Sequence, residues 1–232
     1  MADAGLRVDE GIATIEIAGP GPNLLNPTNM AHLEAQLRAA DAHQDVTGIV
    51  LTGSGDNFCG GLDLGAIGEG QSPVDFAAAL VSILRLFPSF TKPVAAAVNG
   101  DAVASGGALV AACDFAVASP ESLIGSYEVS VGVWPMVAQV PMIQRIGARA
   151  AMENIGSGEP FTATRAREVG LVNVVTDPSE VMAQTRTWLQ KASRAGVVMA
   201  TGRPTLYELE SLDYDDALQL ALSKFSRMFD EA

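Results

Sequence analysis

The stretch from Asn99 to Asp114 constrains the possible fold of this chain most strongly. The five residues before it, Val94 to Val98, are small and apolar, which is typical of a strand buried on both faces. Asn99-Gly100 predicts a sharp turn out of that strand. Ser105-Gly106-Gly107 then predicts the start of a buried helix, where unpaired N–H groups suit a carbonyl oxygen that gains negative charge. A tight turn packed in the core fits the same residues equally well.

A second Gly-rich turn follows the same pattern. The segment from Gly48 to Thr52 is typical of a short buried strand, and it runs into a glycine-rich stretch that ends at Leu64. Two such turns, each after a buried strand, predict that each contributes one N–H group to the same oxygen. The pattern Gly53-x-Gly55-x-x-Phe58 lacks the third glycine of a dinucleotide fingerprint, so we exclude a nicotinamide site there.

Charge, histidines and cysteines exclude several classes of function. The net charge of -13, from 27 acidic and 14 basic residues, argues against nucleic acid and against an anionic membrane surface as partners. His32 and His43 fall on the predicted first helix, far from both Gly-rich turns, which disfavours a catalytic triad and a histidine metal site. Cys59 and Cys113 lack metal-ligand spacing and are expected to be free buried thiols. With no signal peptide and no long apolar run, we expect a cytoplasmic protein without a bound metal.

Strand and helix patterns alternate along the chain, which predicts an α/β fold with right-handed crossovers. We expect a loop from Gly65 to Ser72 and a soft boundary near Asp177. Predicted strands cover 11–17, 48–52, 94–98, 114–118 and 172–175, and predicted helices cover 28–43, 73–87, 139–155 with a break at Gly147, 162–169 and 177–194.

Six motifs, in this order and at this spacing, resemble the crotonase superfamily, also called the enoyl-CoA hydratase/isomerase family. They are N-L-L-N (23–26), F-C-G-G-L-D-L (58–64), K-P-V-A-A-A-V-N-G (92–100), S-G-G-A-L-V-A-A-C-D (105–114), G-V-W-P (132–135) and A-R-E-V-G-L-V-N-V-V (166–175). The resemblance implies a crotonase-like (ClpP/crotonase) α/β spiral of ββα units. It also implies a division into a spiral core at 1–176 and a C-terminal helical trimerisation region at 177–232, with a homotrimer or a dimer of trimers as the assembly.

The resemblance further implies an acyl-CoA-processing enzyme that stabilises a thioester enolate. Its oxyanion donors would be the backbone N–H groups of Leu62 and Ser105, and its acid/base would be Glu128. Ala108 stands where a hydratase of this family carries its first glutamate, so isomerase-like or other one-carboxylate chemistry is preferred over hydration. Asp63 as a substitute acid, and Glu128 as a plain solvated carboxylate, remain open. The alternative from another class is a catalytically weakened acyl-thioester-binding or partner subunit.

The expected ligand is an acyl-CoA, or an acyl-carrier thioester, with coenzyme A as part of the substrate and no tightly bound cofactor. Gly65 and the final residues up to Ala232 lack the basic groups of relatives, which predicts modest CoA affinity. Val133, Trp134, Met136 and Val137 are expected to wall the acyl pocket. Phe76 and Leu80 are further candidates for that wall, although both are more typical of core. The full set of residues implied to bind substrate or CoA is Asn23, Leu24, Leu25, Cys59, Gly60, Leu62, Asp63, Leu64, Ala104, Ser105, Gly106, Glu128, Trp134 and Pro135.

Overall fold

A computed structural model describes residues 6–230 and has nine strands in two sheets. The strands are β1 (Arg7–Asp9), β2 (Ile12–Ile17), β3 (Gly48–Gly53), β4 (Val94–Val98), β5 (Ala102–Val103), β6 (Phe115–Ala118), β7 (Leu123–Gly125), β8 (Phe161–Thr162) and β9 (Val174–Val175). The large sheet has the order β1-β2-β3-β4-β6-β9, and all its pairings are parallel except β1 with β2. The small sheet has the order β5-β7-β8.

The helices follow the strands in alternation, which confirms the predicted α/β class. They are α1 (Pro27–Ala42), α2 (Leu64–Gly68), α3 (Pro73–Leu84), α4 (Ser105–Ala112), α5 (Gln139–Ser157), α6 (Ala163–Glu168), α7 (Val181–Ala192), α8 (Val197–Glu210) and α9 (Tyr214–Asp230). A single turn at Pro20–Asn23 and four 3₁₀ segments connect some of them. No helix within residues 6–230 is long and apolar enough to cross a membrane.

Both faces of the large sheet are buried, and the small residues of β4 explain how. Ala96 is paired with Leu51 on one side and with Ala116 on the other, and every residue of β4 is buried. One face packs on the main core, while Val181 and Leu189 of α7 pack on the other. Helix α7, although it follows Asp177, therefore contributes to the packing of the sheet. The division at residue 176 stays a prediction.

The predicted break at Gly147 is confirmed, because this residue (φ 75°, ψ 158°) kinks α5. The cap of α1 was not predicted: the Asn26 side chain accepts hydrogen bonds from the N–H groups of Thr28 and Asn29, and the helix starts at Pro27. The loop expected from Gly65 to Ser72 is wrong in its first part, because the Asp63 carboxylate accepts from the Ala66 N–H (3.1 Å) and caps α2 there.

Three element bounds also differ from expectation. Strand β9 is two residues long, because the N–H groups of Leu171 and Val172 still bond to the Ala166 carbonyl of the preceding helix. A 3₁₀ turn at Pro178–Glu180 precedes α7, and α3 ends at Leu84, before the 3₁₀ segment that contains Phe87.

The C-terminal helices are tied to the core by a buried ion pair. Arg203 of α8 donates through Nε to Asp114 Oδ2 (2.8 Å) and through Nη1 to the carbonyl oxygens of Phe87 and Phe90, both at 2.7 Å. The Tyr207 hydroxyl donates to the other Asp114 oxygen. Helix α9 packs on α8 and exposes Leu218, Leu222, Phe225, Met228 and Phe229. Glu231 and Ala232, which bear on the expectation of modest CoA affinity, lie outside the described residues.

We expect Asp114→Ala to lower the free energy of unfolding by about 3 kcal/mol or more, because it leaves the Arg203 charge buried and unpaired. The matched control is Glu168→Ala, which breaks an exposed ion pair with Arg165 and should leave the free energy of unfolding almost unchanged, because solvent screens such pairs. Urea unfolding at a fixed protein concentration measures both. An equal loss of unfolding free energy in the two variants would show that the ion pair between Arg203 and Asp114 does not hold α8 on the core.

Candidate active site

The two Gly-rich turns lie against each other at the carboxyl ends of β3 and β4. A Cβ atom on Gly61, whose φ is +98°, would lie 2.7 Å from the Ala104 Cβ and 3.8 Å from the Ser105 nitrogen. A Cβ atom on Gly106 would lie 2.4 Å from the Cys59 carbonyl oxygen. Side chains at these two positions would separate the loops, so glycine is what brings Leu62 and Ser105 close together.

Both loops present a backbone N–H group without a protein acceptor. Leu25 pairs with the first loop by donating to the Gly61 carbonyl and accepting from the Asp63 N–H, both at 2.8 Å, which leaves the Leu62 N–H outside the ladder. Ser105 is the first residue of α4, where N–H groups lack intrahelical partners. Within residues 6–230, neither N–H group donates to another protein group.

Two asparagine side chains fix the shape of the first loop. Asn99 accepts from the Gly53 N–H and donates to the Gly53 carbonyl, both at 3.0 Å. Asn23, which is buried, donates to the carbonyl oxygens of Ser54 (2.9 Å) and Asn57 (2.7 Å). These bonds satisfy backbone groups that would otherwise be left unpaired, and they make the loop rigid.

Glu128 opens the 3₁₀ segment Glu128–Val131, and its carboxylate is held from one side. Its Oε2 atom accepts from the Ser126 hydroxyl and from the Tyr127 N–H (3.0 Å). Asn154 of α5 is fully buried and holds the main chain of Ser126, accepting from its N–H (2.7 Å) and donating to its carbonyl (2.8 Å). Among the described residues, no donor reaches the other carboxylate oxygen of Glu128, which stays available for chemistry.

These groups border one pocket of about 310 Å³, which we call the small pocket. Its walls are apolar apart from Ser105, Tyr127 and Glu128. Burial, and next the charge of Glu128, raise the pKa of the Tyr127 phenol, so that it stays protonated at neutral pH. Of the predicted site residues, the small pocket is lined by Leu62, Leu64, Ala104, Ser105, Glu128, Trp134 and Pro135.

The other predicted residues lie behind the small pocket or beside it. Cys59 and Gly106 are buried in the contact between the loops. Leu25 and Gly60 are buried where the first loop meets residues 22–25, and Asp63 caps α2. Further predicted residues outside the lining are Asn23 and Leu24, and Phe76 is fully buried core. Ala108 is also fully buried and outside the lining.

Sequence reasoning missed several residues of the wall. Tyr127 and Val131 flank Glu128, and Ile67 lies in the segment that was expected to be a loop. One signal was present for α3, because Pro73, Ala77 and Leu80 are spaced as one helical face and all three line the small pocket. Val133, Met136 and Val137 line the small pocket as expected, whereas Leu80, for which core was preferred, is buried and also lines it. The described residues contain no group of three His, Cys, Asp or Glu side chains that would hold a metal ion.

Comparison with known proteins gives a consistent family. The family model described as enoyl-CoA hydratase/isomerase matches residues 7–222. A protein named probable enoyl-CoA hydratase from Bacillus subtilis (strain 168) is 28% identical over 99% of this chain and 92% of its own length. A peroxisomal fatty acid beta-oxidation multifunctional protein of Oryza sativa subsp. japonica is 31% identical over 77% of this chain, which spans only 25% of that longer protein. The crystal structure of an enoyl-CoA hydratase/isomerase family protein from Silicibacter pomeroyi has a TM-score of 0.89 at 28% identity, covering 97% of this chain and 99% of that one.

We expect Gly61→Ala to lower the free energy of unfolding by about 2–4 kcal/mol, because it combines a strained positive φ with a clash against Ala104. Gly55→Ala is the matched control. Gly55 also has a positive φ (+69°), but a Cβ there meets nothing within 4 Å, so only about 1 kcal/mol is lost. Chemical denaturation compares the two variants, and equal costs would mean that the loops do not need this close approach.

We expect the Cys59 thiol to resist alkylation in the native protein. Burial raises its pKa to about 12, so at about pH 9 the folded chain keeps the thiol neutral, whereas an unfolded cysteine is largely thiolate. Iodoacetamide labelling followed by mass spectrometry should be at least about a hundredfold slower in the native state than in guanidinium chloride. Burial raises the pKa of Cys113 too. Rapid labelling of native Cys59 would contradict a closed contact between the loops.

Proposed function

Because the chain belongs to the enoyl-CoA hydratase/isomerase family, as its resemblance to the crotonase superfamily predicted, we propose that it is an enzyme acting on acyl-CoA thioesters through an enolate. In this proposal the N–H groups of Leu62 and Ser105 bind the thioester oxygen, and Glu128 is the single acid/base. The observation that carries the proposal is one pocket bordered by two adjacent backbone donors without protein acceptors and by one carboxylate with a free oxygen.

The chemistry follows from where charge develops. The free oxygen of Glu128 takes a proton from the α-carbon of a 3-enoyl thioester, and the electron pair of that C–H bond delocalises onto the thioester oxygen. The Leu62 and Ser105 N–H groups stabilise this oxyanion, and each such donor contributes about 3 kcal/mol to lowering the barrier. Glu128 then returns the proton to the γ-carbon, which gives the 2-enoyl thioester. One carboxylate is enough for this shuttle, and no water is consumed.

Hydration needs a second carboxylate, which the residues that line the small pocket do not supply. In this family it uses two glutamates that hold one water, and Ala108 stands at the position of the first. Ala108 is buried and outside the lining of the small pocket, and the Asp63 carboxylate is engaged in capping α2. Glu128 is the one carboxylate among the described lining residues. We therefore favour double-bond migration, or another reaction that needs one carboxylate, over hydration.

The proposal also covers the substrate, the assembly and the location of the protein. The acyl group is carried by CoA or by an acyl-carrier thioester, with CoA a part of the substrate and no resident cofactor. The relative from Oryza sativa bears the name of a fatty acid beta-oxidation protein, which supports a fatty acyl substrate here. The exposed apolar face of α9 supports self-association, and the family resemblance makes a homotrimer or a dimer of trimers the proposed assembly. A cytoplasmic location remains part of the proposal.

A second candidate is a catalytically weakened subunit that binds acyl thioesters or a partner protein. The observation that favours it is the same substitution, Ala108 in place of a glutamate, together with the exposure of Val133, Trp134 and Met136 at the mouth of the small pocket. Such a subunit keeps thioester affinity without turnover. The two candidates differ in what Glu128 does.

We expect Glu128→Gln to lower kcat for 3-enoyl-CoA isomerisation at least about a hundredfold while thioester binding changes little, because the amide cannot take the proton. Glu121→Gln, on an exposed turn, is the control and should leave kcat unchanged. Incubation with 3-enoyl-CoA and with 2-enoyl-CoA, with products separated by chromatography and weighed by mass spectrometry, reads the reaction.

Two results would contradict the proposal. Fast water addition to 2-enoyl-CoA would show that a second proton donor replaces the missing glutamate. Tight thioester binding with no turnover of either substrate, and no effect of Glu128→Gln, would favour the binding subunit.

A further inference from the structure

A second and larger cavity, of about 670 Å³, adjoins the small pocket; we call it the large cavity. It lies between α3, α4, α5 and α8. Met136 and Val137 line both spaces, so these two side chains form the partition between them. Met136 is 69% exposed, and its unbranched side chain has freedom to move aside. The partition is therefore narrow and adaptable.

The inner lining of the large cavity presents mainly apolar atoms, although Arg145 and Tyr207 are among its residues. Arg145 uses Nε and Nη2 to donate to the carbonyl oxygens of Ala111 (2.9 Å) and Cys113 (2.7 Å) at the end of α4. The Tyr207 hydroxyl is engaged by Asp114. What Arg145 and Tyr207 offer to the cavity is thus a hydrocarbon stem and a ring face. Val81, Leu84, Phe87, Val140 and Leu206 complete an apolar surface.

The wall that α8 contributes is held in place by the core. Arg203 on that helix is buried and bonded to Asp114, Phe87 and Phe90. Tyr207, one turn later, is tied to the same Asp114 carboxylate. Because the helix is pinned on its inner side, the space between it and α5 is preformed. Exposed Arg85, Gln144 and Glu210 form the polar part of its rim.

We propose that the large cavity binds the distal part of a long, uncharged acyl chain, which passes the Met136–Val137 partition while its thioester end occupies the small pocket. This inference rests on the proposed function and deepens it by naming the substrate class. A hydrocarbon tail fits because the cavity continues the apolar wall of the small pocket, and inside its polar rim Arg145 and Tyr207 already donate to protein groups. A charged end group would meet no free buried partner among the described lining residues.

Chain length then sets affinity. Each methylene that leaves water for an apolar site tightens binding by about fourfold when it is fully buried. A thioester that reaches the large cavity should bind at least about a hundredfold more tightly than one confined to the small pocket. The preference should stop rising once the chain reaches the exposed rim.

Val140 and Ile143 provide a matched pair of variants on the first turns of α5. Both are partly exposed (53% and 41%), so tryptophan is tolerated at either, but only Val140 lines the large cavity, and Ile143 lines neither space. We expect Val140→Trp to lower the ratio of kcat/KM for 3-hexadecenoyl-CoA to that for 3-hexenoyl-CoA at least about tenfold. Ile143→Trp should leave the ratio unchanged.

Calorimetric binding of hexadecanoyl-CoA and hexanoyl-CoA, which cannot react, tests the inference without turnover. If wild type binds both equally, or if both tryptophan variants change the ratio alike, the inference is overturned. If Val140→Trp alters the oligomeric state by light scattering and leaves the ratio intact, the large cavity is an interface between copies, and the inference is again overturned. If neither enoyl-CoA is turned over while long-chain binding still depends on Val140, the proposed isomerase function fails and the chain-binding inference stands.

Discussion

The close approach of two Gly-rich loops is the constraint on which the candidate site depends. Gly61 and Gly106 leave no room for a Cβ atom, since each would collide with the opposite loop. Their contact leads the chain into α4 through Ala104, a non-glycine residue at φ 54° and ψ -119°. Such backbone strain persists only where the surroundings impose it. Ser105 follows this strained residue directly; its N–H group has no protein acceptor among the described residues, and it lines the same pocket as Leu62.

The sheet explains why the two loops meet at all. Strands β3 and β4 are parallel neighbours, so the loops that follow them leave the same edge, which is where ligands bind in open α/β sheets. The small residues of β4 let helices pack closely on both faces, and α7 covers the second face. The alanines of β4 thus determine how closely the helices pack on the sheet, and the packed sheet determines where the two loops with the free N–H groups of Leu62 and Ser105 lie.

The sequence therefore predicted the loops well and their surroundings less well. Gly147 and the run of small residues in β4 act through local geometry, which can be read from the sequence directly. Helix α2 was missed because its glycines each disfavour a helix by about 1 kcal/mol, whereas the Asp63 cap and the packing of Ile67 favour it. The Asp63 cap and the packing of Ile67 form only when the chain is folded, so the sequence alone does not display them. In the same way, the sequence does not show that the neighbours Leu62 and Asp63 have different roles. Leu62 lines the small pocket, whereas Asp63 caps α2.

The distribution of polar groups in the small pocket bears on which reaction this fold supports here. A water molecule that is to react must be held by two to four polar partners. Ala108 supplies none, and one oxygen of Glu128 is already committed to Ser126 and Tyr127. With mostly apolar walls and the larger apolar cavity beyond Met136, the site is better suited to hold a hydrocarbon than a water. A proton that leaves one carbon of such a chain meets a single carboxylate oxygen, and returning it to another carbon needs no further group. The proposed migration of a double bond therefore needs only groups that line the small pocket.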